Sequence, residues 1–153
     1  MTSLTYIYEN ESGITCFDRY FEYLQSIERR MPASLKNFAL DAGRYELNGL
    51  RTLHDAWLTA LSIGKEYDSL EQLVQTSVQI DLQLAANQKS LGLKYLDVTA
   101  IQTQLTPEQW PARPVDLLVH EFSIDEVGRF RHFLKFDRGV YVVILFRSLE
   151  VIE

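Results

Sequence analysis

Between residues 78 and 84 every second side chain is apolar: Val78, Ile80, Leu82 and Leu84 alternate with Gln79, Asp81 and Gln83. A period of two describes a strand buried on one face and wet on the other, which antiparallel sheets allow and all-parallel sheets do not. Ala86, Asn87, Gln88 and Lys89 turn the chain, and Leu91, Leu93 and Tyr95 resume the alternation. The phase then slips to Leu96, Val98 and Ala100. A one-residue slip reverses the buried face, so a bulge or bend is predicted near residues 95–97. Residues 105–114, with three prolines and Trp110, read as a loop. Further strands are predicted at about 115–124, 129–136 and 140–147, joined by tight turns at 125–128 and 137–139. Residues 149–152 are a further pairing segment.

The N-terminal part follows another period. Leu4, Tyr6 and Tyr8 alternate over a short strand, and Asn10, Glu11, Ser12 and Gly13 form a turn. Phe17, Tyr20, Phe21, Leu24, Ile27 and Met31 then recur at spacings of three and four, the stripe of an amphipathic helix. Thr15 is its expected cap, Arg29 and Arg30 suit its negative end, and Pro32 stops it. Ser34 is placed to cap a second, short helix through Leu35, Phe38, Ala39 and Leu40. Residues 50–63 fit either period; a strand over 55–63 is preferred because the following sheet needs partners. The architecture expected is α+β, with N-terminal helices packed on one face of a roughly five- to six-stranded antiparallel sheet.

A chain of 153 residues fits one domain, 1–153, and can bury about two-thirds of its unfolded surface. The longest apolar run, residues 140–146, suits a buried strand and is far too short to span a membrane. No secretory signal is read at the N-terminus, and a single cysteine cannot form an internal disulfide, so the cytoplasm is the expected compartment. The net charge of −6 argues against binding nucleic acid. The charge is uneven: residues 1–128 carry 18 acids and 10 bases, whereas residues 129–153 carry 3 acids and 5 bases. An acidic body can steer a basic protein partner.

Candidate chemistry is sparse. His54 and Asp55 are adjacent, and an aspartate can orient a histidine for acid–base work. On a strand, however, neighbours point to opposite faces, so direct contact is not expected and Asp55 is assigned to the turn that opens the strand. If residues 125–127 form the hairpin loop, His120 and His132 lie directly opposite and could share a metal, but two ligands do not complete a site. Cys16 is placed near the helix start, where a thiol gains acidity, yet no converging histidine is visible and a small buried thiol is the simpler reading. Phosphate loops, nucleophile elbows, C-x-x-C pairs and H-E-x-x-H runs are missing. No catalytic, cofactor or metal residue is assigned.

The segment Leu53, His54, Asp55, Ala56, Trp57 and Leu58, followed by a run of antiparallel strands, resembles a loose group of small bacterial α+β proteins. Some of these are similar to immunity proteins of toxin–immunity systems, with a Leu-His-Asp-Ala/Ser segment opening the sheet. The resemblance implies a cytosolic protein that neutralises a toxin by occluding it, and it transfers no catalytic residue. The function expected is therefore a non-enzymatic protein-binding module, its partner a basic toxin domain. Two alternatives stand beside it. One is a small hydrolase or metal-dependent enzyme using His54 and Asp55 or His120 and His132. The other is a homo-oligomer paired through the apolar strand 140–146.

Overall fold

Ten strands and two α-helices make up the computed structural model, which describes residues 3–104 and 114–153. The fold is α+β, and its strands fall into three antiparallel sheets. A small hairpin joins β1 (Tyr8–Glu9) and β2 (Thr15–Cys16). The first large sheet orders β10 (Ser148–Ile152), β5 (Ser90–Leu96), β4 (Leu73–Gln83) and β3 (Trp57–Tyr67). The second orders β6 (Ala100–Gln104), β9 (Tyr141–Phe146), β8 (Phe130–Phe136) and β7 (Leu117–Ile124). The single sheet of five or six strands expected from the alternation is thus two sheets of four.

The phase slip marks where they part. Asp97 takes a left-handed φ of +52° between β5 and β6, and the chain passes there from one sheet to the other. It crosses back between β9 and β10, where the Arg147 amide donates to the Leu96 carbonyl at 3.0 Å. The inner faces of the two sheets form one core. Val78, Ile80, Leu82, Leu91, Leu93 and Tyr95 from the first meet Phe122, His132, Leu134, Val142, Ile144 and Phe146 from the second. The Tyr95 and Phe146 rings meet edge-on across it at 5.0 Å. The predicted loop 105–114 lies outside the described residues apart from Pro114.

The helices α1 (Asp18–Ile27) and α2 (Ala33–Ala39) line the sheet edges instead of covering one broad face. The stripe predicted for α1 is the buried one, with Tyr20, Leu24 and Ile27 inside. Its start is corrected: Thr15 belongs to β2 and caps nothing, and Phe17 precedes the helix without a side-chain cap. Likewise Ser34 lies inside α2, where its hydroxyl donates to the Leu149 carbonyl of β10. Along β7, the Phe122 and Ile124 amides point away from β8 and donate to the Tyr20 and Tyr23 hydroxyls, both at 2.9 Å. Helix side chains thereby satisfy backbone groups that an edge strand would leave open.

The outer face of the second sheet is covered by the N-terminal segment. Glu121, fully buried, accepts the amides of Thr5, Tyr6 and Ile7 at 2.8–2.9 Å. The Tyr6 ring stacks on Tyr23 at 3.8 Å. β9 sits between β6 and β8 with both edges paired, so strand 140–146 has no edge to offer a second subunit. Among the described residues no helix is long and apolar enough to cross a membrane.

Candidate functional site

His120 and His132 do meet, though not as direct partners. The ladder pairs Phe122 with His132 and His120 with Leu134, a register two residues from the expected one. The reason is the turn. Gly128 has φ +86° and closes the loop, while Asp125 Oδ1 accepts the Val127 and Arg129 amides at 3.0 and 2.9 Å. The loop is therefore 126–128, and the histidines are diagonal neighbours on one face.

Their protons can be placed. The Arg44 carbonyl only accepts, so the His120 Nε2–H must donate to it, at 3.1 Å. His120 Nδ1 then accepts from His132 Nε2–H at 3.0 Å, and His132 Nδ1 accepts from the Tyr95 hydroxyl at 2.6 Å. Both rings are neutral, fully buried and satisfied at each nitrogen. Burial lowers the His120 pKa to about 4 and holds His132 well below the usual imidazole value, with neighbouring His120 and Arg131 adding to it. Tyr45 stacks on His120 at 4.5 Å and Phe122 on His132 at 3.8 Å. Neither ring keeps a lone pair for a metal, and no group of three or more metal-ligating side chains exists among the described residues.

His54 and Asp55 are in contact, contrary to the expectation from strand geometry. They lie in a turn ahead of β3, and Asp55, with φ +63°, brings its Oδ1 to 3.5 Å from His54 Nε2. The turn assigned to Asp55 is present. His54 Nδ1–H donates to the Leu118 carbonyl at 3.0 Å. A dyad needs the carboxylate on one ring nitrogen and an open cleft at the other; here the backbone occupies that other nitrogen. A concavity of about 320 Å³ beside the turn is lined by Asp55, Trp57, Gln83, Leu84, Gln88 and Asp116, without His54. Cys16 lies on β2, half-buried instead of buried, its thiol donating weakly to the Ile14 carbonyl at 3.5 Å.

Two features carry more chemistry than the residues singled out from sequence. One is Arg44, in a short 3-10 turn (Ala42–Arg44) that Asp41 caps through the Gly43 amide. Arg44 is 7% exposed and borders a concavity of about 590 Å³. Its Nη2 donates to Glu153 Oε1 at 2.7 Å and its Nη1 to the Arg51 carbonyl at 3.3 Å. Arg51 in turn holds Asp41 through two hydrogen bonds of 3.0 and 2.8 Å, which lowers the Asp41 pKa. Nothing in the spacing around Arg44 marks it, since a lone arginine after a glycine reads as surface.

The other is the far end of the β3 and β4 hairpin. β5 pairs with β4 only from Ser77 to Gln83, whereas β3 pairs with β4 as far as Tyr67 and Leu73. The hairpin therefore extends past the sheet as a two-stranded arm. Tyr67, Leu70, Leu73 and Val74 on it are 53–76% exposed, and Ile63, paired with Val78 inside the sheet, is 56% exposed. Beyond the bridge from Trp57 to Asp116, no strand lies beside the outer edge of β3 among the described residues. The arm's tip is acidic, with Glu66, Asp68 and Glu71 against Lys65.

No protein-family model matches the chain, and no curated protein does either.

Proposed function

We propose that this chain acts by binding another protein, and that the arm of β3 and β4 makes the contact. The carrying observation is the combination of a free strand edge with four exposed apolar side chains on the arm and Ile63 at its base. An open edge offers unpaired amides and carbonyls at a fixed spacing, so an extended segment can add as a further strand and place alternate side chains on the apolar ones. The acidic tip selects a segment carrying lysine or arginine. The competing enzyme reading is less well supported, because both histidine pairs have their ring nitrogens committed to hydrogen bonds or to Asp55.

A nine-residue peptide alternating valine and lysine probes this directly. Its addition should slow amide exchange at residues 59–67, and the double variant Ile63→Ser, Leu73→Ser should abolish the effect. Unchanged exchange in the wild-type protein would refute the arm as a strand acceptor. The narrower version, in which the partner is a basic toxin domain, draws on the net charge of −6 and on the Leu53 to Ala56 resemblance. A cationic toxin encoded beside this chain should lose activity at equimolar ratio, and undiminished toxin activity would remove that version.

A further inference from the structure

We infer that the concavity beside Arg44 binds a small carboxylate carrying a short apolar chain, and that the Glu153 side chain occupies the carboxylate position in its absence. The site is independent of the arm. Its volume, about 590 Å³, falls in the range of small-molecule pockets. Its lining has two characters. Leu84 and Leu91 are buried and Leu50 is exposed, which gives an apolar wall. Arg44, Arg51 and Lys89 bring three cations to the hollow, against Glu153 on its lining and Asp41 paired with the two arginines, which leaves one positive charge in excess.

Arg44 is the group whose state points to a ligand. A guanidinium pairs best with a carboxylate through two parallel N–H bonds. Here its Nη2 meets Glu153 Oε1, and its buried Nε makes no hydrogen bond among the described residues; Asp41 Oδ2 lies 3.6 Å from that Nε, an ion-pair contact too long for a hydrogen bond. A donor without a hydrogen bond on a buried cation is costly, and a carboxylate meeting Nη2 and Nε together would supply the bond that the Asp41 contact is too long to make. Glu153 itself reaches Arg44 from the solvent side, at 2.7 Å. Its side chain is 68% exposed, and an ion pair with one partner in water is weak enough to exchange. Arg44 and Glu153 also border a second concavity of about 360 Å³, beside Ser34, Asn37, Phe38 and Val151. Lys89 enters no ion pair among the described residues, so its charge is available to an incoming anion. Arg51 is fixed by Asp41 and supplies a positioned rim.

The occupant is a carboxylate because a carboxylate on a two-methylene stem already fits there. The apolar chain follows from the leucine wall. The test is titration of the full chain with hexanoate, followed by calorimetry and by amide shifts, with hexanol as neutral control. Hexanoate should shift residues around Arg44, Lys89 and Leu91, and hexanol should bind at least about tenfold more weakly, as a lost charge-assisted pair implies. Glu153→Gln removes the internal competitor and should tighten hexanoate roughly three- to tenfold, whereas Lys89→Gln should weaken it about threefold. Both lie at the surface of the site, and unchanged circular dichroism verifies their folding. Equal affinity of Glu153→Gln and wild type would make Glu153 a counter-ion only and overturn the inference. Tighter binding of inorganic phosphate than of hexanoate would overturn the ligand class. Binding of a glutamate-bearing peptide without hexanoate would assign the hollow to a protein partner and overturn the small-molecule assignment.

Discussion

His120 is neutral in the fold because burial lowers its pKa to about 4, against about 6.5 in an unfolded chain. As pH falls, the unfolded chain takes up its proton first. Stability from this group is therefore complete above about pH 6.5, declines through the window down to about pH 4, and changes no further below it. The loss across that window is about 3 kcal/mol from His120 alone, and His132 shifts in the same direction. Urea midpoints taken from pH 7 to pH 4.5 should fall accordingly, and a flat series would show that the imidazoles reach water in the native state. The sequence placed these histidines on neighbouring strands and on one face, because strand alternation is a local property. It missed their register, because that depends on which loop residue adopts positive φ, and the decision between Gly128 and its neighbours rests on the Asp125 side chain bonding two amides. Glu121 and Arg44 were not legible at all. Their importance comes from what packs over them, segments more than 70 residues distant in each case: Thr5 to Ile7 over Glu121, Glu153 beside Arg44.

Among the elements, β7 shows how a helix can finish a sheet. The Phe122 amide donates to the Tyr20 hydroxyl; Tyr20 donates to Tyr45 at 2.9 Å, and Tyr45 donates to the Ala39 carbonyl at 2.7 Å. Tyr20→Phe keeps the ring and removes the acceptor, leaving a buried amide unpaired. The expected cost is about 1–3 kcal/mol in chemical denaturation, more than the same change at the half-buried Tyr23. The arm of β3 and β4 predicts the opposite behaviour. Its outer part has no third strand and little cover, so the amides of residues 65–67 and 73–74 should exchange well before those of 78–82, as mass spectrometry of exchanged peptides can read. Equal protection would mean that the arm is covered in solution. The helical period exposed α1, the two-residue period exposed β4 and β5, and the unbroken apolar run 140–146 exposed β9. The arm escaped because Gly64, Lys65 and Glu66 are wet on both faces and so carry no alternation for a pattern to catch.

For the molecule as a whole, the α+β class and the antiparallel pairing were legible, whereas the count and the division were not: one sheet of five or six strands was expected, and eight strands lie in two sheets of four. Sheet membership is decided at the crossings, and one crossing depends on Asp97 holding φ +52°. Aspartate tolerates that region; a β-branched residue does not. Asp97→Val should cost about 1–3 kcal/mol, whereas Asp97→Gly should be close to neutral, by thermal or urea unfolding. Equal effects of the two would mean that the crossing can be made with an ordinary backbone angle. The tyrosine and histidine relay has a separate use. Tyr95 comes from the first sheet, His132 and His120 from the second, and the Arg44 carbonyl from the turn that follows the helices. Each imidazole N–H is locked in one tautomer and shut away from solvent. Two sharp downfield proton resonances, one per ring, thus form a built-in gauge of assembly: if either sheet or the helical turn drifts from the others, its line broadens first.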